Sequence, residues 1–262
     1  MSSMQICDII LFAPHPDDEA LGCAGMIYNQ LKKGRKIKVV VLTNGDADTK
    51  SWEMLHHKKP GYEDMIEHGR TRQKETISAM NLLGLYEEDI LFLGYPDQGL
   101  KKILFSEKYT EISPFKSDFT GLNNAAYKNS YNKGAPYCKA SFIGDVENII
   151  SLYQPKRIFI THPKDGQGDH KASGEMIRDI VKQTKKSISI LGYYIYMASK
   201  VRNLKTTHRT YYKVTGKLKE IVLNEESKRI KERCLDMYKT QEYFLNPVRK
   251  YYNKRESFWK LI

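Results

Sequence analysis

The 262-residue sequence predicts an α/β fold in which a mainly parallel, Rossmann-like sheet is flanked by helices. Short runs of apolar and β-branched residues, typical of buried strands, alternate with segments that carry apolar residues at helical spacing. This alternation is typical of right-handed βαβ units around a parallel sheet. It continues to about residue 197 without a linker rich in Gly, Ser or Pro, which favours a single domain over residues 1–262.

The predicted elements follow one another with recognisable ends. Gly34 and Gly84 come after two predicted helices, where glycine commonly ends a helix. Asn224 is a predicted N-cap for a charged helix that reaches Gln241. A polar stretch at 56–61 is predicted to be a loop. The predicted strands cover 8–12, 36–43, 89–94, 157–161 and 187–197, with a short edge strand near 211–214, and the other predicted helices cover about 21–33, 65 or 70 to 83, 142–153 and 171–184.

Two segments stand apart from this alternation. Residues 95–140 form a long connection rich in Lys, Asn, Ser, Tyr and Gly, which is typical of a binding loop or lid. Residues 200–262 hold 17 Lys and Arg against 7 Asp and Glu, so they carry +10 of the total charge of +12. This charge could attract an anionic ligand, nucleic acid or a lipid surface, although a solvated basic helix is the simpler interpretation. The long connection also holds tyrosines that could stack on a ligand or pack against the domain, namely Tyr95, Tyr127, Tyr131 and Tyr137.

The cysteines indicate a reducing compartment. Cys7, Cys23, Cys138 and Cys234 are scattered along the chain, and none forms a CxxC pair. The N-terminal sequence has no basic segment followed by a long apolar stretch, and its apolar run is too short to span a bilayer. We therefore expect a cytoplasmic protein without a membrane span.

Two clusters of histidine and aspartate follow predicted strands. Residues 13–19 read Ala-Pro-His-Pro-Asp-Asp-Glu, and residues 162–170 read His-Pro-Lys-Asp-Gly-Gln-Gly-Asp-His. Ligands bind outside the carboxyl ends of parallel strands, where the two clusters can meet. His15 and Asp18 can point to the same side of a strand-to-helix junction, and His170 is the natural third ligand. Imidazole and carboxylate ligands suit zinc, with iron, cobalt or manganese as substitutes.

Asp17 lies between two of these ligands and is predicted to point elsewhere, as a base close to the metal. Three protein ligands leave one position open, which is the arrangement of catalytic zinc, and a nearby carboxylate can accept a proton from water. The helix macrodipole alone would explain Asp18 and Glu19 but not His15. Asp169 could likewise be a simple helix cap. Together, the clusters predict a metal-dependent hydrolase.

A metal-dependent phosphoesterase or nuclease is the alternative, because the same cluster could serve phosphoryl chemistry and the basic region could follow a nucleic-acid backbone. Such enzymes often hold two metal ions. The sequence offers few spare ligands for a second ion beyond Asp165 and His162. This shortage favours the one-metal interpretation.

Further motifs occur in order over roughly residues 8–245. They are APHPDDEALG at 13–22, LTNGD at 42–46, RxxExxxAxxxLG at 72–84, LGYPD at 93–97, APYxKAS at 135–141, a His/Asp block at 162–172 and YKTQ at 238–241. In this order they resemble the PIG-L/LmbE-like family of zinc-dependent N-acetylglucosaminyl deacetylases. The first motif is quite specific, whereas RxxE or LGYPD alone would be weak.

The resemblance implies roles for residues around the cluster. His15, Asp18 and His170 would bind zinc, and Asp17 would be the general base in the hydrolysis of an acetamide to acetate and a free amine. Asp169 would be a supporting carboxylate that orients a histidine or a loop.

The resemblance also implies contacts with a substrate. Arg72 and Asp97 would bind sugar hydroxyls or an attached group, with a helix-surface arginine and a turn aspartate as the alternatives. The implied partner is a small N-acetyl-sugar conjugate, and the basic residues suggest an anionic acceptor group. Nucleic acid is not favoured, and homo-oligomerisation is left open.

One position departs from the family pattern. Many relatives have a histidine three residues before the metal-binding histidine, where this chain has Gln167. A glutamine amide can donate a hydrogen bond but cannot shuttle a proton at neutral pH. We therefore predict that Gln167 keeps an oxyanion-stabilising role while Asp17 carries the proton transfer. His162 is a stand-in if its loop folds back.

Overall fold

One seven-stranded sheet organises the chain. The computed structural model describes residues 6–184, 187–195, 217–252 and 255–261. The strand order is β3-β2-β1-β4-β5-β7-β6, in which β1 to β5 are parallel and β7 runs antiparallel to both β5 and β6. The strands are β1 Ile9–Ala13, β2 Ile37–Thr43, β3 Ile90–Tyr95, β4 Arg157–Thr161, β5 Ser189–Tyr193, β6 Lys217–Val222 and β7 Arg255–Lys260.

Helices cover both faces of the parallel strands. Ile10 and Phe12 of β1 pack on the side of α4, α5 and α6, whereas Ile9 and Leu11 pack on the side of α1, α3 and α7. The α-helices are α1 Asp18–Leu31, α2 Thr49–His56, α3 Tyr62–Leu83, α4 Leu100–Leu104, α5 Lys139–Tyr153, α6 Gly168–Gln183, α7 Glu225–Leu235 and α8 Glu242–Tyr252. Short 3-10 helices cover Glu87–Asp89 and Lys239–Gln241. None of the described helices is both long and apolar enough to cross a membrane.

The predicted α/β class and parallel strands are confirmed. The strand at 157–161 has the predicted bounds, and β1, β2 and β3 each begin one residue later than predicted. Gly84 ends α3 with φ 102°, a left-handed conformation that glycine adopts without a Cβ clash. Asn224 caps α7 by accepting a hydrogen bond from Ser227 N (2.8 Å).

Several elements differ from the prediction. The charged helix after Asn224 ends at Leu235, and a separate 3-10 helix precedes α8. His56 is the last residue of α2, a helix capped by Asp48, so the predicted loop starts only after it. The strands β6 and β7 were not predicted. The edge strand expected near 211–214, and the end of the fifth predicted strand at 196–197, lie outside the described residues.

The long connection at 95–140 is mostly irregular but well packed. Between the end of β3 at Tyr95 and the start of α5 at Lys139, it holds only α4, turns and isolated bridges. Three of its four candidate tyrosines are buried and donate hydrogen bonds within the protein, Tyr95 to Asp145, Tyr127 to Asp46 and Tyr137 to Gly94 O. These tyrosines therefore have the packing role that was the alternative to ligand stacking.

Candidate metal centre

The topology brings the two His/Asp clusters together. Strands β1 and β4 are hydrogen-bonded neighbours, with Ile9 opposite Arg157, so the segments that follow them leave the same edge of the sheet. His15 lies in the short turn between β1 and α1, and His170 lies in the first turn of α6. Each of the two neighbouring strands is followed by a histidine, and the fold therefore places His15 and His170 close together.

Three side chains converge on one point. His15 Nδ1 lies 3.1 Å from Asp18 Oδ2 and 3.0 Å from His170 Nε2, and His170 Nε2 lies 3.0 Å from Asp18 Oδ2. Zinc bonds of about 2.0–2.2 Å in a tetrahedron place ligand atoms roughly 3.3–3.6 Å apart. The three ligand atoms would therefore have to move apart by only a few tenths of an ångström to bind the ion. This buried cluster can hold a metal ion. The three predicted ligands lie together, and their role as ligands stays a prediction.

A carboxylate lies behind each histidine. The second nitrogen of His15, Nε2, is 3.1 Å from Asp97 Oδ1 and 3.6 Å from Asp169 Oδ2. His170 Nδ1 is 3.5 Å from Asp165 Oδ1. Carboxylates in this position fix the tautomer and the ring orientation of metal-binding histidines. Asp169 thus lies where a supporting carboxylate was predicted.

The charges of this cluster favour a cation. Burial lowers the pKa of His170, but Asp18 and Asp165 raise it to about 9 overall. Burial also lowers the pKa of His15, while Asp97, Asp169 and Asp18 raise it well above its usual range. The carboxylates therefore attract positive charge to the point between the two rings, which is where a divalent cation would replace the protons.

The Asp17 carboxylate pairs with Arg72, and its predicted role as a base stays a prediction. Asp17 is the N-cap of α1 with φ 109°, an uncommon conformation for a residue other than glycine. Its Oδ2 lies 3.2 Å from Arg72 Nη2. Its side chain keeps 13% of its surface exposed, against 2% for Asp18, so a substrate could reach Asp17. Burial raises the pKa of Asp17 well above its usual range, and Arg72 opposes that shift.

A protein-family model matches most of the chain. This model, described as PIG-L, GlcNAc-PI de-N-acetylase, matches residues 10–181, which include every residue of the cluster. The chain belongs to the PIG-L family. This membership confirms the resemblance found in the ordered motifs.

Solved structures share the fold of this PIG-L chain. They include the N,N'-diacetylchitobiose deacetylase from Pyrococcus horikoshii complexed with its inhibitor MPG, at a TM-score of 0.60 and 16% identity, covering 97% of this chain and 83% of that one. The zinc-inhibited form of teicoplanin deacetylase Orf2 matches at 0.60 and 16%, covering 97% of each chain. GalB, the 4-carboxy-2-hydroxymuconate hydratase from Pseudomonas putida KT2440, matches at 0.60 and 11%, covering 98% of this chain and 97% of that one. The likeness therefore shows the fold, which deacetylases and a hydratase share.

The two predicted substrate-binding residues contact other parts of the site. Arg72 is buried, with Nη1 donating to Gly45 O (3.0 Å) and Nη2 to Pro16 O (2.6 Å) and Asp17. Asp97, besides facing His15, accepts a hydrogen bond from Ala47 N at 3.3 Å. Arg72 is therefore not a helix-surface arginine, and Asp97 does lie in a turn, although it is buried there and faces His15. Substrate contact by either residue stays a prediction.

The side chains of Gln167 and His162 both accept hydrogen bonds from the backbone. Gln167 is the N-cap of α6, and its Oε1 accepts a hydrogen bond from His170 N (2.9 Å). Its amide nitrogen is therefore the atom that could donate to a ligand. His162 Nδ1 accepts from Lys164 N (3.0 Å), and its ring stacks on Tyr194 at a centroid distance of 4.4 Å. This packing gives no support to His162 as a stand-in base.

Two buried carboxylates of the site were not assigned to it from the sequence. Asp165, considered only as a spare ligand for a second metal, faces His170 and accepts hydrogen bonds from Gln167 N and Ile195 N. Asp46 accepts from Asp97 N (3.1 Å), and burial raises its pKa to about 6. Both belong to the ordered motifs, and that placement was the signal available in the sequence.

Proposed function

We propose that this chain is a metal-dependent amide hydrolase that removes the N-acetyl group from an N-acetylglucosamine-containing substrate. The observation that carries the proposal is the convergence of His15, Asp18 and His170 beside a reachable Asp17, in a member of the PIG-L family. The family description names a GlcNAc-PI de-N-acetylase, and the structural neighbours include a diacetylchitobiose deacetylase. Both act on N-acetylated amino sugars by name.

The donor set fits zinc, with iron, cobalt or manganese as substitutes. Two imidazoles and one carboxylate are ligands typical of catalytic zinc, and His15, Asp18 and His170 would supply them. When bound, zinc polarises a carbonyl as a Lewis acid and makes water acidic enough to lose a proton near neutral pH. Asp97 and Asp169 would hold the ring of His15 in place, and Asp165 would hold that of His170.

Asp17 would carry the proton in both halves of the reaction. Its carboxylate takes the proton from the attacking water as the new carbon–oxygen bond forms at the acetamide carbon. The protonated Asp17 then gives this proton to the nitrogen as the carbon–nitrogen bond breaks, so the products are acetate and a free amino sugar. Burial raises the pKa of Asp17, which makes its carboxylate a stronger base for the first step, and the neighbouring Arg72 opposes that shift.

Acetate release tests the function directly. Enzyme reloaded with zinc after chelation would be incubated with N-acetylglucosamine, diacetylchitobiose, a glycoside of N-acetylglucosamine and a phosphorylated form. Zinc-dependent acetate from any of these compounds is the expected result, and the preferred compound identifies the acceptor group, including an anionic one. Hydrolysis of phosphoesters without acetate release would instead support the alternative function.

Two substitutions separate proton transfer from metal binding. Asp17→Asn should keep the metal and lower kcat by about 10²–10⁴-fold, since the amide cannot accept a proton. His170→Ala should lose metal affinity because it removes a ligand. Metal content after gel filtration and acetate release would be measured on both variants. Turnover of Asp17→Asn at the wild-type rate would rule out Asp17 as the base.

Gln167 tests the oxyanion role at the position where family members often have histidine. Gln167→Ala removes the amide donor and should lower kcat by about 10²–10³-fold, the usual loss for one oxyanion donor. It also removes the cap of α6, so unfolding must be measured in parallel. Gln167→His restores a donor and should retain more activity than Gln167→Ala. Equal activity of both variants and the wild type would contradict the proposed role.

A further inference from the structure

A four-residue segment far along the chain reaches the candidate site. This segment, Tyr238-Lys-Thr-Gln241, lies beyond the residues matched by the family model and is called the tail clasp here. Tyr238, Thr240 and Gln241 are all buried. Their side chains contact three different elements that surround the site.

Tyr238 acts on α1 through a buried carboxylate. Its hydroxyl donates a hydrogen bond to Glu19 Oε1, and the other oxygen, Glu19 Oε2, accepts a hydrogen bond from Asp17 N at 3.2 Å. Glu19 is fully buried, so its carboxylate depends on such donors. Tyr238 thereby fixes the group that holds the backbone of Asp17.

The conformation of Asp17 needs this support. A φ of 109° is costly for an aspartate and persists only where surrounding contacts hold it. Two side-chain contacts hold Asp17, Glu19 at its backbone N–H and Arg72 at its carboxylate, in addition to the hydrogen bonds that its carbonyl oxygen accepts from Ala20 N and Leu21 N. The first of these contacts depends on Tyr238.

The rest of the clasp holds the neighbouring helices. Thr240 donates to Glu75 twice, from its backbone N (2.8 Å) and its Oγ1 (2.6 Å), and Glu75 lies one turn after Arg72 on α3. Gln241 Nε2 donates to Asp48 Oδ2 (2.8 Å) at the start of α2. The clasp therefore ties α1, α2 and α3 together around Asp17 and Arg72.

We propose that the tail clasp is a positioning element for Asp17. Tyr238, acting through Glu19, holds the Asp17 backbone in the left-handed conformation that presents its carboxylate to the substrate. Only the catalytic use of this carboxylate rests on the proposed function; the positioning itself does not. Tyr238 is a positioning residue because it touches Glu19 and not the reacting atoms.

The test removes one hydroxyl. Tyr238→Phe keeps the buried ring and removes the donor to Glu19. The matched control is Tyr95→Phe, which removes a hydroxyl that donates to the buried Asp145 at 3.0 Å. For both variants, hydrogen exchange of the Asp17 amide, kcat, KM, zinc content and melting temperature would be measured.

The expected result is specific to Tyr238→Phe. Exchange at Asp17 should be about tenfold faster and kcat about tenfold lower, whereas KM and zinc content stay at wild-type values. Tyr95→Phe should lower the melting temperature without changing exchange at Asp17 or kcat. A lower melting temperature for Tyr238→Phe, with exchange at Asp17 and kcat unchanged, would overturn the proposal and leave the clasp a stabilising contact.

Hydrogen exchange keeps this test independent of the substrate. If the wild type releases no acetate from any N-acetylglucosamine compound, the proposed function fails, yet exchange at Asp17 still decides whether Tyr238 positions it. Glu19→Ala is the second variant, because it removes the acceptor of the Asp17 N–H directly. Wild-type exchange at Asp17 in both Tyr238→Phe and Glu19→Ala would overturn the positioning role.

Discussion

Asp17 and Asp18 are neighbours in sequence with opposite electrostatic surroundings. Burial would raise the pKa of Asp18, but His170 and His15 lower it below its usual range. Burial raises the pKa of Asp17 well above that range, and Arg72 only partly opposes the shift. Two carboxylates whose pKa values are pushed apart in this way suit the two tasks proposed for them, Asp18 as an ionised metal ligand and Asp17 as a group that gains and loses a proton.

His162 should make stability depend on pH. Burial and Lys164 lower its pKa from 6.5 to about 4, so the folded protein binds fewer protons than the unfolded chain between these values. The stabilisation by neutral His162 is therefore complete above about pH 6.5 and is lost as the pH falls toward 4. At about 1.4 kcal/mol per pKa unit, the loss approaches roughly 3 kcal/mol.

The variant His162→Phe isolates this effect. Phenylalanine keeps a ring against Tyr194 but cannot be protonated, and it removes the acceptor of Lys164 N equally at every pH. Urea unfolding of metal-free wild type and variant at pH 5 and pH 7 would be compared. The difference in unfolding free energy between the two pH values should be smaller in the variant. An equal difference in both proteins would contradict the lowered pKa.

The sequence was sufficient to find the residues that converge but not the contacts behind them. His15, Asp18 and His170 follow strand ends, and parallel topology alone brings such ends together. Which ring nitrogen faces Asp97 or Asp165 depends on side-chain orientation, which sequence spacing does not determine. The same limit explains why Arg72 was expected to contact a substrate and was not expected to pair with Asp17.

At the scale of elements, α6 must approach β4 closely to place His170 beside His15 and Asp18. A Cβ on Gly174 would lie 2.1 Å from the backbone oxygen of Thr161, far inside contact distance. Gly174→Ala should therefore destabilise the protein by about 1–3 kcal/mol or more, because neither backbone can yield easily. The matched control is Gly144→Ala in α5, where an added Cβ meets nothing within 4 Å.

The control should shift stability in the opposite direction. Alanine has a higher helix propensity than glycine, so Gly144→Ala should stabilise by up to about 1 kcal/mol. Chemical denaturation of both variants gives the comparison, and metal content would report whether His170 has moved in Gly174→Ala. Equal effects of the two substitutions would show that helix propensity, and not the contact with Thr161, controls the Gly174 position.

Elements with a simple burial pattern were predictable, and those with mixed polarity were not. The strands β1 to β4 are nearly continuous apolar runs because both faces are covered. The edge strand β6 is mostly exposed and carries two lysines and a glutamate, so its sequence resembles a loop. The strand β7 includes the buried Glu256, and a charge in the core breaks the alternation that indicates a strand.

At the scale of the whole molecule, the described part of the basic C-terminal region, residues 217–252 and 255–261, packs into the fold. Its composition favours a solvated basic helix as the simplest interpretation. In the structure, α7 buries Lys231, Cys234 and Leu235 against α1 and α3, and β6 and β7 extend the sheet. The region also supplies the tail clasp. Its net charge therefore does not describe its role, because some of its charged side chains lie in the interior.

The buried ion pair between Lys231 and Glu256 should couple the stability of α7 and β7 to that of α1. Lys231 Nζ donates to Glu256 Oε1 and to Leu21 O (2.7 Å each), and Glu256 also accepts from Gly25 N and Met26 N, so α7 and β7 are both attached to the middle of α1. Lys231→Met or Glu256→Gln alone leaves one charge buried without its partner and should cost about 3–5 kcal/mol. The double variant should cost clearly less than the sum, because neither charge then remains. Urea unfolding of all four proteins gives the coupling energy, and additivity within about 0.5 kcal/mol would show that the pair is not a unit.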